Sequence, residues 1–260
     1  STVNALGPTV NKALEIAQAG VPGPVFVEVP VDLLYPESIV RGWYMSESGV
    51  DKASTLGMKA LGLFLKGHLY KQFHLPHVDL DVPTVRMPRR GDTDAQIAKV
   101  ADRIAHAERP ALVIGNQTMV SCHDPVSIAG AVSTLGIPTW LGGAARGLLG
   151  RFNDVQFRHE RGRSLKEADL VIVCGFPFDF RLKYGRSIGS KATLVSANLS
   201  AEELRKNRRP DVAIEMHPAE FLRGLADVVG PTVGRWDRWF ENVREREEAR
   251  AAAIARKARV

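Results

Sequence analysis

The chain has little cysteine, no long apolar run and no regular histidine pattern, and each lack removes a class of protein. Two cysteines in 260 residues, Cys122 and Cys174, lie too far apart to found a disulfide framework. Cys174 ends the apolar run Asp169-Leu-Val-Ile-Val-Cys174, where a thiol is most simply a buried small side chain. No stretch approaches the roughly 18 consecutive apolar residues of a membrane span. The seven histidines show no metal-ligand spacing, so no metal is expected on this chain. Neither a starting Met nor a basic-then-apolar leader precedes Ser1-Thr-Val-Asn4, which reads as the inside of a longer protein. The net charge of +6 raises the question of nucleic acid, but the basic residues are scattered or alternate with acids, as in Arg244-Glu-Arg-Glu-Glu248. With no nucleic-acid-binding motif beside them, no nucleic-acid partner is expected.

What is present is a change of rhythm. Residues 8–19 have helical spacing and Gly20 is a stop; the turn Val21-Pro-Gly-Pro24 leads into Val25-Phe-Val-Glu-Val29, which reads as a strand. Residues 37–92 lack regular periodicity except for Leu61–Phe73, an amphipathic helical candidate flanked by Lys59, Lys66 and Lys71. An interfacial helix of this kind suits either a membrane surface, over residues 57–75, or a packing partner. From residue 93 short apolar runs alternate with helical patterns. Strands are expected at 111–115, 137–140, 169–174, 193–197 and 212–214. Helices are expected at 93–107, from Asp124-Pro125 to Gly136, and at 163–168, 200–206, 219–229 and 236–256. That alternation specifies an α/β fold, a parallel sheet with helices on both faces, whose ligands bind beyond the carboxyl ends of the strands.

Several residues sit where such a ligand would lie. Gly115-Asn116-Gln117 follows the first strand of the alternating region, and its amides suit either a phosphate or the capping of the next segment. The loop Gly142–Gly150, with Gly142, Gly143 and Arg146, suits either close approach to a nucleotide diphosphate or a tight strand-to-helix connection. Asp179 and Arg181 share one side of an extended segment and either pair with each other or present charge to an adenosine group. Arg158, His159, Arg161 and Arg163 form a basic cluster before a helix, a phosphate site or a solvated face.

Two stretches carry a family resemblance. Pro22-Gly-Pro-Val-Phe-Val-Glu-Val-Pro-Val-Asp-Leu-Leu34 is similar to the end of the pyrimidine-binding domain of acetolactate synthases and their thiamine-diphosphate-dependent relatives. Glu167-Ala-Asp-Leu-Val-Ile-Val-Cys-Gly-Phe-Pro-Phe-Asp-Phe-Arg-Leu182 resembles the strand of their central domain, and Leu199–Ile214 continues the pattern. Gly142–Arg151 and Asp179–Arg186 resemble the 2-hydroxyacyl-CoA lyase branch most. The resemblance implies four segments: 1–36, the tail of the pyrimidine-binding domain; 37–92, a linker with an inserted helix; 93–232, the Rossmann-like central domain; and 233–260, a helical connector toward a diphosphate-binding domain.

It also implies thiamine diphosphate and Mg²⁺ in the parent protein, a site between subunits and hence a homo-oligomer. The substrate is an acyl-CoA, cleaved to formyl-CoA and an aldehyde, or a pair of 2-oxo acids in an acetolactate-synthase-like carboligase. A non-catalytic nucleotide-binding module is the alternative outside catalysis. Neither the glutamate that protonates the aminopyrimidine nor a Gly-Asp-Gly motif occurs, since Gly91-Asp92 is followed by Thr93; this chain alone is expected to be inactive. Pro177, Asn198 and His217 stand where flavin-binding relatives carry a cation and acids, so FAD is not expected, whereas the nucleotide of CoA is compatible with the central domain. The resemblance implies association with the endoplasmic reticulum membrane, with a cytoplasmic location as the alternative.

Overall fold

The computed structural model describes residues 2–52, 55–74, 93–232 and 234–258. The stretch 75–92 expected as linker, with His77 and Gly91-Asp92, lies outside these. The chain divides into two compact units, 1–87 and 88–260.

The first unit is helical. α1 (Val3–Gln18) begins five residues before the expected start, carries Pro8 inside and buries no residue. Val25–Val29, expected as a strand, is irregular, because among the described residues no neighbouring strand takes its backbone hydrogen bonds. α2 (Glu37–Ser48), which the sequence did not announce, packs on α3 (Leu56–Phe73) through Val40, Met45 and Leu69. Thr55 caps α3 by accepting from the Met58 N–H at 3.3 Å. Asp32 joins the pair by accepting from Gln72 Nε2 at 2.9 Å and from the Tyr44 hydroxyl at 3.2 Å. Burial, and then Asp32, raise the Tyr44 hydroxyl above its ordinary value. The outer side of α3 leaves Leu56, Leu63, Phe64 and Tyr70 exposed.

The second unit has α4 (Thr93–His106), β1 (Pro110–Ile114), α5 (Pro125–Leu135), β2 (Thr139–Leu141), β3 (Gln156–Phe157), α6 (Arg161–Glu167) and β4 (Leu170–Cys174). It continues through β5 (Thr193–Asn198), β6 (Val212–Glu215), α7 (Pro218–Val229) and α8 (Asp237–Ala258). The strands form one parallel sheet in the order β3-β2-β1-β4-β5-β6. Every residue of β1 and β4 is buried, which requires cover on both faces. The expected doubly covered parallel α/β architecture is therefore what forms. Each buried Leu, Ile or Val contributes about 1.5–3 kcal/mol. Burial also pushes the Cys174 thiol far up, so it stays neutral.

Local signals set the ends of these elements. Asp124 caps α5 by accepting from the Ser127 N–H at 3.0 Å, and that bond holds its carboxyl below the ordinary range. Gly136 stops the same helix at φ 53°. Asp169 accepts from the Glu108 and Arg109 amides, tying the starts of β1 and β4 together. The helix expected at 200–206 does not form: the segment is a run of turns, with Asn198 Oδ1 and Ser200 Oγ capping the Ser200 and Glu203 amides. α8 is fastened to the second unit, burying Trp239 and Val243, with the Trp239 indole donating to the Pro110 carbonyl at 2.9 Å.

Candidate functional site: a basic cavity beside the strand ends

The strand order reverses between β1 and β4, where such sheets offer a crevice. Here that crevice is closed by protein. The Gly115 N–H donates to the Cys174 carbonyl at 2.8 Å and the Gln117 N–H to the Gly175 carbonyl at 3.2 Å. A Cβ at Gly115 would lie 2.5 Å from the Gly175 oxygen and 2.8 Å from Phe176 Cα. Asn116 Oδ1 accepts from the Ala144 N–H at 2.8 Å, and Gly143, at φ 56°, lies against the same side chain. Gln117 Oε1 accepts from the Leu199 N–H at 3.0 Å. Packing and capping thus account for Gly115, Asn116, Gln117 and Gly143.

The open space lies to one side, above β2 and β3. A cavity of about 590 Å³ is bounded by Trp140 and Leu141 of β2, Gln156 and Phe157 of β3, and Ser187 of the loop after β4. Five cations line it: Arg146, Arg158, Arg161, Arg181 and Lys183. Asp179 is the carboxylate beside them, and it is spent on Arg181, accepting from Nη2 at 2.5 Å and from Nε at 3.0 Å. That hydrogen bonding holds the Asp179 carboxyl below its ordinary range and raises the Arg181 guanidinium. Among the described residues the other four side chains form no ion pair with a carboxylate.

Arg161 is the centre of the arrangement. Its guanidinium and that of Arg181 each lie 5.4 Å from the centre of the Phe176 ring. Arg161 Nη2 also donates to the Arg181 carbonyl at 2.7 Å. Burial, followed by the neighbouring charges of Arg146 and Arg181, pulls Arg161 below the ordinary arginine value, and Asp179 offsets part of this. A part-buried cation among like charges lacks its counter-charge. Gly142 belongs to the same construction: a Cβ there would collide with the Phe176 ring.

The segment that supplies Arg158 and Arg161 is held from outside. Glu247 of α8 accepts from the Arg158 amide at 3.0 Å and from the His159 amide at 2.7 Å, and the Trp140 indole donates to the His159 carbonyl at 3.0 Å. Arg163, from the same basic cluster, turns away to Glu167 at 3.2 Å. Gln156 lines the cavity, but its side-chain oxygen is buried behind the wall without a hydrogen-bond partner. The cations on the wall suit anionic oxygens. Of the residues expected at a ligand, Arg146, Arg158, Arg161 and Arg181 line the cavity, whereas Gly115, Asn116, Gln117, Gly142, Gly143 and Asp179 do not. Lys183, Gln156 and Ser187 carried no sequence signal.

This parallel sheet, with a basic cavity beside its strand ends, defines a doubly wound α/β domain. The profile of the thiamine pyrophosphate enzyme central domain matches residues 97–225, and the second unit belongs to that family. The chain is 36% identical over 265 residues to 2-hydroxyacyl-CoA lyase 2 of Caenorhabditis elegans, covering 96% of this chain and 39% of that protein. It is 31% identical to the human 2-hydroxyacyl-CoA lyase 2, covering 96% and 40%. An acetolactate synthase large subunit of Mycobacterium tuberculosis matches over 115 residues at 30%, which is 44% of this chain and 21% of the relative. Among solved structures, the thiamine diphosphate-dependent 4-hydroxybenzoylformate decarboxylase of Rhodococcus jostii RHA1 superposes with a TM-score of 0.55 at 18% identity. That superposition covers 90% of this chain and 39% of the decarboxylase, and it shows the shared fold. The chain thus spans about two fifths of the length of the lyases it matches.

Proposed function

We propose that this chain is the central-domain segment of a thiamine-diphosphate-dependent carbon–carbon lyase acting on 2-hydroxyacyl-CoA, and that the basic cavity takes the phosphate-bearing nucleotide end of CoA. The observation that carries the reading is the cluster of five cations, of which only Arg181 is ion-paired among the described residues, while the nearby carboxylates of Asp179 and Glu247 are engaged by Arg181 and by backbone amides. CoA carries a diphosphate and a third phosphate, which supply the missing negative charge. Arg146, Arg158, Arg161 and Lys183 would bind and orient the nucleotide, with Arg181 held in place by Asp179. Gripping a remote, unreacting part of the substrate in this way helps fix the reacting end.

The chain's own residues do not fit the thiamine cofactor. The sequence has no Gly-Asp-Gly motif, and among the described residues no group of three acidic, His or Cys side chains could hold a metal ion. In this proposal thiamine diphosphate and Mg²⁺ are therefore held by other parts of the parent protein. Flavin fits poorly. His217 caps α7, accepting from the Ala219 N–H through Nδ1 at 3.2 Å, with Nε2 2.8 Å from the Val120 carbonyl, while Asn198 caps Ser200.

The test is turnover by the full-length protein with thiamine diphosphate, Mg²⁺ and a 2-hydroxyacyl-CoA, assayed for formyl-CoA and aldehyde. Arg161→Met should raise KM for the acyl-CoA about tenfold or more and leave 2-oxo acid carboligation untouched. Carboligation of 2-oxo acids without cleavage of the acyl-CoA would replace this reading with an acetolactate-synthase-like one.

A further inference from the structure

The loop after β4 contains three consecutive left-handed residues, Lys183, Tyr184 and Gly185, at φ 50°, 55° and 82°. Left-handed backbone is costly for residues that carry a Cβ, and it persists only where the surroundings over-determine it. Those surroundings are two bonds within the loop, from the Tyr184 N–H to the Asp179 carbonyl and from the Ser187 hydroxyl to the Leu182 carbonyl, both at 2.8 Å, and one side chain from outside it. Arg208 donates from Nη1 to the Gly185 and Ile188 carbonyls at 2.8 and 2.9 Å, and from Nη2 to the Gly189 carbonyl at 3.0 Å. Its stem fills the space beside Gly185, where an added Cβ would lie 2.7 Å from Arg208 Cβ. No carboxylate pairs with Arg208 among the described residues, so its donors serve the loop alone. A planar fork can hold three carbonyls at once in a way that a lysine ammonium cannot. Asn207 Nδ2 adds a bond to the Phe178 carbonyl at 2.8 Å, fixing the near end of the same loop.

Arg208 lies off the cavity wall, whereas Lys183 is on it. We infer that Arg208 is a positioning residue for polyanion binding and acts through Lys183. It holds the strained turn that sets the ammonium over the cavity. This rests on the cavity being a polyanion site, and the design of the test separates the two.

ADP is titrated calorimetrically into the chain and into Lys183→Ala, Arg208→Gln and the double variant, each with a melting curve. Losing one charge-assisted contact should weaken ADP about tenfold in Lys183→Ala. Arg208→Gln should weaken it comparably, and the double variant should bind no worse than either single one. Both single variants should also show a shallower loss of affinity with salt, because the same cation has left the ligand, whereas general loosening of the fold would leave that slope unchanged. Should Arg208→Gln fail to fold, Arg208→Lys, which keeps the stem and the charge but gathers its donors on one nitrogen, makes the same comparison. Unchanged affinity in a folded Arg208 variant overturns the inference, as does a double variant whose loss is the product of the two. No ADP binding by the unaltered chain sinks the cavity reading and this inference with it.

Discussion

Gly115→Ala tests whether the glycine after β1 is bare for a ligand or for the protein itself. The added methyl would lie 2.5 Å from the Gly175 carbonyl oxygen and 2.8 Å from Phe176 Cα, both backbone atoms, against an ordinary contact of 3.4 Å or more. No rotamer change relieves a clash with backbone, so the ends of β1 and β4 must separate by roughly 1 Å. Overpacking of this sort costs about 1–3 kcal/mol. The hydrogen bonds from Gly115 to Cys174 and from Gln117 to Gly175 cross the same gap, and weakening them adds about 1 kcal/mol. The expected loss is about 2–4 kcal/mol, or roughly 5–15 °C in Tm for a unit of this size. Tryptophan fluorescence during heating reports on it, because Trp140, Trp236 and Trp239 are buried in the second unit. ADP affinity, measured well below the transition, should be preserved or fall only modestly. An unchanged Tm together with lost ADP binding would refute the packing argument and return Gly115 to the ligand.

Arg161→Met removes an unpaired, part-buried charge while keeping much of the stem. ADP affinity should fall about tenfold or more, while Tm without ligand holds or rises; a clear fall in Tm would mean that the guanidinium is structural. Arg146→Ala, at an exposed position, should weaken ADP by roughly tenfold to a hundredfold, with stability changed by less than about 0.5 kcal/mol by melting curve. Asp179 has a folded-state carboxyl value below that of the unfolded chain, so its stabilisation is complete above about pH 4 and is lost as pH falls through the depressed value. Asp179→Asn should therefore be less stable than the parent at neutral pH, by under about 1 kcal/mol for so exposed a pair, and the two should converge below pH 4 in urea titrations. A gap that widens in acid would contradict the assigned pair.

The parallel sheet was legible because burial on both faces demands uninterrupted apolar runs, and Leu170–Cys174 is such a run. The Asp124-Pro125 start and Gly136 stop of α5 were legible because capping is local chemistry. Val25–Val29 misled because alternation describes a strand's faces and says nothing of a partner for its backbone. Ser200–Lys206 misled because Ser200 could cap turns as well as a helix. At the site, Arg146 and Arg181 could be found from their place after strands. Which cations of the Arg158–Arg163 cluster would turn inward could not be, since Glu247, some ninety residues on, fixes that segment. Lys183 was hidden for a related reason: its backbone is left-handed, and the loop around it is held in part by Arg208, some twenty-five residues on.

α8 does two jobs along its 22 residues. Its first half is seated on the second unit and ends at Glu247, the carboxylate that holds the rim of the cavity. Beyond Glu247 the helix is mostly exposed, with Ala253 and Ile254 partly covered, and it runs on to Ala258. At 1.5 Å per residue that is a stiff arm of roughly 16 Å with its pivot at the cavity rim. Where that exposed half begins, one carboxylate is the contact by which α8 holds the Arg158 and His159 amides, so the rim of the cavity is fastened by the helix and not by the sheet alone.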